Sequence, residues 1–182
     1  MDDISRELGI SKKTIYVHID NKEELVKMVI LNMIEIEHEI FMTIKNKATN
    51  ALDEMLKISN HAIQFIGQMT PSFTYDLQKY YKASWKLIEE EHFSFIEKMI
   101  TNNLVAGIKE KVYRSNINPE IVAKLYMAQA TLITDEDIFP SKKFAKVDLY
   151  KEMIIGHLHG MASDKGLKLL KKNEQKYVLD AK

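Results

Sequence analysis

Apolar positions along this chain recur at helical spacing, and no segment sustains the alternation of two that a half-buried strand requires. Ile4 and Leu8 sit one turn apart in a first short segment over 2–8, and Gly9 follows where a helix end calls for left-handed backbone. Ser11 then fits an N-cap, with Ile15 and Ile19 repeating the spacing over 12–19. Asn21 and, three residues on, Glu24 form a capping box; from there Leu25, Val29, Ile36 and Ile40 carry a helical stripe to about residue 47. The pattern predicts further helices over 49–69, after Pro71, and from about 80 to 112. Asn118 caps another, with Pro119 at its favoured first position and Ile121, Leu125, Ala128 and Leu132 on one face. An acidic loop over 135–143 carries Pro140, and a last long helix runs from Lys146 to at least Ser163. The expectation is an all-α fold: a short helical module over 1–26 followed by a larger helical domain over 27–182.

Composition sharpens this picture. Glycine and proline number only 6 and 3, where average usage predicts roughly 20 together. Scarcity of both breakers favours long helices. The absence of cysteine rules out disulfides and thiolate metal sites. No apolar run approaches the roughly 18–20 residues of a membrane span, and the acidic start Met1-Asp2-Asp3 lacks the apolar stretch of a signal peptide. A cytoplasmic protein with no membrane partner is expected. Lys and Arg balance Asp and Glu at 26 each, so a nucleic-acid partner requires a local basic patch rather than a basic chain. His157 and His159 stand two apart, which on a helix turns them about 200° from each other and forbids a shared metal. With no nucleophile–base pair, metal motif or phosphate loop, neither an enzyme nor a cofactor is expected.

Two short helices joined by a tight glycine turn form a helix-turn-helix. Its first helix braces the second, which offers polar side chains to the major groove. Ile4, Leu8, Ile10, Ile15 and Ile19 form the expected shared core, leaving Lys12, Lys13, Thr14, Tyr16 and His18 outward. The run DDISRELGISKKTIYVHIDNKEELV closely resembles the signature of the TetR family of transcription regulators. The matching positions are Ile4, Gly9, Ile10, Ser11, Thr14, Ile15, Tyr16, His18, Lys22 and Leu25, with Ser5 where alanine is usual and Ile19 where phenylalanine is usual. The stretches GIKEKVYRSNINPEIVAKL and HLHGMASDKGLKLL resemble later helices of one branch of that family.

The resemblance implies roles. Thr14, Tyr16 and Lys22 would hold phosphates, Lys12 and Lys13 would reach phosphate or guanine edges, and Val17 and His18 would face bases beside the capping Ser11. Lys22 lies at a helix N-terminus, which already favours anions. Over 11–22, three lysines against Asp20 leave a net +2, modest for a DNA contact. In that family a further helix precedes this motif. The chain begins inside the module, so that helix is expected to be missing, Ile4, Leu8 and Ile15 to lack a lid, and DNA binding to be weak without it.

The larger domain is expected to bind ligand and to dimerise. Its aromatic cluster suggests an apolar pocket with a few hydrogen-bonding groups; the candidates are His61, Phe65, Met69, Tyr75, Tyr81, Trp85, His92 and Phe95. His38, between Glu37 and Glu39, reads as a solvated helix face. Family members pair their two last helices with a second copy. The corresponding interface residues are Ile121, Leu125, Ala128, Leu132, Tyr150, Ile154, His157 and Met161, with Gly156 and Gly160 allowing close approach. The tail over 165–182 carries six lysines against Glu174 and Asp180, net +4, and reads as a solvated end. The resemblance thus implies a repressor that grips a double-stranded operator as a homodimer and is released by a small hydrophobic effector. The alternative is an all-helical dimeric small-molecule-binding protein that has lost DNA binding.

Overall fold

A computed structural model describes residues 1–70 and 72–177; Pro71 and the end of the basic tail lie outside the described residues. Among the described residues ten α-helices follow one another: α1 Asp2–Glu7, α2 Lys12–Ile15, α3 Lys22–Lys47, α4 Ala51–Gln68, α5 Phe73–Tyr80, α6 Lys82–Leu87, α7 Ser94–Lys109, α8 Pro119–Leu132, α9 Lys146–Met161 and α10 Asp164–Tyr177. Among the described residues the sole β-type pairing is an isolated bridge between Tyr113 and Ala162. The expected boundary at 26/27 falls inside α3.

Helix starts follow side-chain chemistry. The Asn21 side chain accepts from the Glu24 N–H (2.9 Å), and the Glu24 carboxylate accepts from the Asp20 N–H. Asn50 caps α4 through the Asp53 N–H, and Asn118 caps α8 through the N–H groups of Glu120 and Ile121. Each cap satisfies donors that would otherwise be orphaned, typically contributing about 1 kcal/mol.

The main core gathers α4, α7, α8, α9 and α10 around Leu52, Met55, Leu56, Ile100, Leu104, Ile154, Leu158 and Leu170, all essentially inaccessible. Such side chains contribute about 1.5–3 kcal/mol each on burial. A second cluster, Ile30, Ile34, Leu77 and Ile88, fastens α3 to α5 and α6. A buried polar network pins the turn after α7. The Tyr113 hydroxyl donates to Asn103 Oδ1 (2.9 Å), while the Asn103 amide donates to the Ala51 carbonyl (2.8 Å) and to Glu54 (2.9 Å).

Three features depart from the sequence pattern. The predicted single helix over 80–112 contains a π-helical turn at Ile88–Phe93 between α6 and α7. The last helix ends at Met161, and Ser163 starts α10 by accepting the Gly166 N–H (3.1 Å). On α3 the buried stripe is Ile30, Ile34, Glu37 and Phe41, whereas Val29 and Ile36 of the predicted stripe face solvent. The true stripe holds a carboxylate, so it reads as the less apolar of two faces.

Candidate DNA-contacting surface and ligand cavity

The helix-turn-helix forms from its local chemistry. Gly9 adopts φ +64°, where a side chain is strained. The Ser11 hydroxyl accepts from the Thr14 N–H (3.1 Å). The second helix is shorter than the predicted 12–19, for α2 ends at Ile15 and Tyr16 to His18 continue as a tight turn, with the His18 N–H donating to the Ile15 carbonyl (2.9 Å). Ile15 and Ile19 anchor this turn in the interior. Ile4, Leu8 and Ile10, expected in the same core, are exposed, Leu8 by 62%. Ile15 was expected to lack a lid, yet it is only 7% exposed.

All eight residues assigned to DNA contact, Ser11, Lys12, Lys13, Thr14, Tyr16, Val17, His18 and Lys22, are exposed. Two of the lysines have intramolecular partners. Lys12 pairs with Asp2, which raises the Lys12 ammonium and lowers the Asp2 carboxyl from their ordinary values. Lys22 lies 5.6 Å from the Tyr81 ring centroid, and hydrogen bonding to the Tyr81 phenol holds its ammonium above the ordinary value. Tyr81 packs against the α3–α5–α6 cluster. It therefore joins the phosphate candidate at the start of α3 to the larger domain rather than lining a pocket.

Within that domain a cavity of about 170 Å³ lies between α3, α4, the π-helical turn, α8 and α9. Of the predicted pocket residues, Phe65, Met69, Trp85 and His92 line it. His61 stands behind the wall, its Nε2 2.9 and 3.0 Å from the two Glu37 oxygens. Tyr75 is instead exposed, its hydroxyl accepting from Lys79 (2.6 Å). Phe95 stacks on His38 at 3.8 Å between centroids. His38 is accordingly half-buried rather than solvated, and desolvation lowers its pKa.

The wall also contains Phe73, a member of the same aromatic cluster, and Glu37, Phe41, Phe93, Tyr126 and Tyr150, which sequence reasoning did not assign to it. The signal for Glu37 lay in the register Ile30, Ile34, Glu37, Phe41, one turn apart along α3. The π-helical turn sets Ile88, His92 and Phe93 into the wall together, a common use of such turns. His92 is 8% exposed, its Nδ1 has no hydrogen-bond partner, and burial lowers its pKa to about 4. The imidazole is neutral at pH 7. The Tyr126 and Tyr150 hydroxyls bond each other at 2.9 Å, and burial holds both phenols above their ordinary value.

Of the residues expected at an association face, those on α8, Ile121, Leu125, Ala128 and Leu132, are all exposed, Leu125 by 57%. On α9 the expectation is corrected. Tyr150, Ile154 and Met161 are buried within this chain, which removes them from any surface. His157 is half-buried against Tyr126. Leu149, Met153, Gly156 and Gly160 instead border an open apolar groove between α8 and α9. A Cβ at Gly156 or Gly160 would meet nothing.

Several solved structures share this fold of an exposed helix-turn-helix on an all-helical domain, a TetR-family regulator among them. The ketosteroid transcriptional regulator KstR2 of Mycobacterium tuberculosis matches with a TM-score of 0.62 and 18% identity over 89% of this chain and 84% of its own. A γ-butyrolactone receptor, ArpA-like, matches at 0.63 and 14% over 97% and 85%. A TetR-family regulator from Mesorhizobium loti matches at 0.60 and 15% over 89% and 86%. In sequence the chain is 23% identical over 168 residues to the HTH-type transcriptional regulator YvaF of Bacillus subtilis, covering 90% of this chain and 86% of that protein. No protein-family model matches it. Among the described residues no helix is long and apolar enough to cross a membrane.

Proposed function

We propose that the chain is a one-component transcription regulator, acting as a repressor. A homodimer presents two helix-turn-helices to an operator, and a small ligand in the internal cavity releases it. The observation that carries this reading is the shared helix α3. Its N-terminus bears Lys22 beside the exposed polar turn, and fifteen residues on, in the same rigid element, Glu37 lines the cavity. Occupation of the cavity bears on α3, on the π-helical turn and on Trp85 of α6, one turn beyond Tyr81. Any ligand that fits one placement of these elements better than the other shifts the spacing of the two DNA-reading ends. The names of the structural neighbours, a ketosteroid regulator and a γ-butyrolactone receptor, agree with a small-molecule effector.

A second copy completes the scheme. The α8 face and the α8–α9 groove expose a contiguous apolar patch of a kind that soluble monomers rarely leave bare. Light scattering on the protein with and without a duplex from the promoter beside its gene tests both parts. Two chains alone and two chains per duplex are expected. A monomer, or a dimer that forms no complex with the duplex at low salt, overturns the proposal.

A further inference from the structure

We infer that the cavity selects a small lipophilic cation: a compact apolar body carrying one ammonium or quaternary nitrogen. This rests on the ligand-responsive reading above and adds the chemical class of the ligand. Glu37, 5% exposed, lines the cavity. Among the described residues no lysine or arginine does. A carboxylate removed from water is costly unless its oxygens are paired. Here both oxygens share the single Nε2 of His61, an imidazole that supplies at most one proton there and is charged only if protonated. Among the described residues His61 is the carboxylate's sole hydrogen-bond partner.

The rest of the wall suits a cation equally well. Phe41, Phe65, Phe73, Trp85 and Phe93 line the space, and aromatic faces attract positive charge more strongly when water is excluded. His92, one of several further polar groups in the wall, is buried with its Nδ1 unpartnered and is neutral at pH 7, so it offers a lone pair or an N–H without a competing positive charge. The modest volume, about 170 Å³, limits the body to a single ring or a short alkyl chain. An anion would face the Glu37 carboxylate with no lysine or arginine in the wall to receive it. A neutral molecule of the same shape would leave the carboxylate as underpaired as it is in the free protein.

The test uses benzyltrimethylammonium and its carbon isostere neopentylbenzene, which share a shape and differ in one charge. Trp85 is the only tryptophan and lines the cavity, so its emission reports occupancy directly. The cation is expected to bind at least tenfold more tightly than the isostere. Glu37→Gln is expected to abolish that preference while leaving isostere affinity within about threefold. The wild-type comparison stands by itself should Glu37→Gln not fold. Equal or tighter binding of neopentylbenzene, or a preference that survives Glu37→Gln, overturns the inference. If the isostere binds and displaces the protein from DNA while the cation does not, the ligand-responsive reading survives and only the cation assignment fails. If neither compound perturbs Trp85 or the melting temperature, both fail.

Discussion

His92 shows how one residue joins stability to the cavity. Burial lowers its pKa from 6.5 to about 4, so between those values the unfolded chain takes up a proton that the folded chain refuses. Stability from this group is complete above pH 6.5 and is lost as pH falls toward 4, by about 2 kcal/mol at pH 5. His92→Phe retains a ring in the wall and removes the titration. Urea melts at pH 7 and pH 5 should therefore show a smaller loss in this variant than in the wild type; equal losses would contradict the assignment. Gly107 makes a second residue-scale prediction. A Cβ there would overlap the Tyr113 ring, whose hydroxyl closes the network with Asn103. Gly107→Ala should cost about 2 kcal/mol or more in the same melts, although alanine is the better helix former. Neither residue was marked as such in the sequence. His92 was legible as a pocket candidate because it lies in an aromatic-rich stretch, whereas its neutrality depends on burial that only packing reveals. Glu37 went unassigned because a carboxylate among glutamates reads as solvated surface until its helical register is set beside Ile30, Ile34 and Phe41.

Among the elements, capping chemistry was the most readable signal. Asn21, Asn118 and Ser11 start helices where side-chain acceptors at those positions require, and α3 ends at Lys47 as its pattern predicts. Features that depend on tertiary contact were less legible. The π-helical turn has no proline or glycine to betray it; it sits where His92 and Phe93 must both reach the cavity. The break before α10 had a local cue in Ser163 that the apolar run through Met161 obscured. On α9, helical spacing alone cannot say which apolar face meets its own core, and Tyr150, Ile154 and Met161 proved to be that face. The reading end makes its own prediction. Lys22 stands exposed at a helix N-terminus beside the Tyr81 ring, so Lys22→Ala should weaken binding to every duplex by about tenfold and flatten its salt dependence. His18→Asn should change which duplex is preferred instead. Anisotropy against a small panel of duplexes separates the two behaviours, and a uniform loss from His18→Asn would place that side chain on the backbone rather than on bases.

At the scale of the whole molecule, α3 carries the exposed polar turn at its start and lines the cavity further along, and in the proposed dimer the α8–α9 face pairs two such chains. With zero net charge on the chain, the proposed DNA contact rests on Lys12, Lys13 and Lys22, too few phosphate contacts in a single copy for tight binding. Leu125→Glu, in the centre of the exposed α8 face, should produce monomers by sedimentation and lose operator affinity while the far-ultraviolet spectrum stays helical. Dimers that persist in this variant would move the interface elsewhere. The most direct measurement of the central claim is a fluorescence-anisotropy titration of the promoter duplex beside a shuffled duplex of the same length, at low and physiological salt. The account predicts saturable binding that favours the promoter by at least about a hundredfold and weakens as salt rises. Equal affinity for the two duplexes, or no binding to either at low salt, would contradict it.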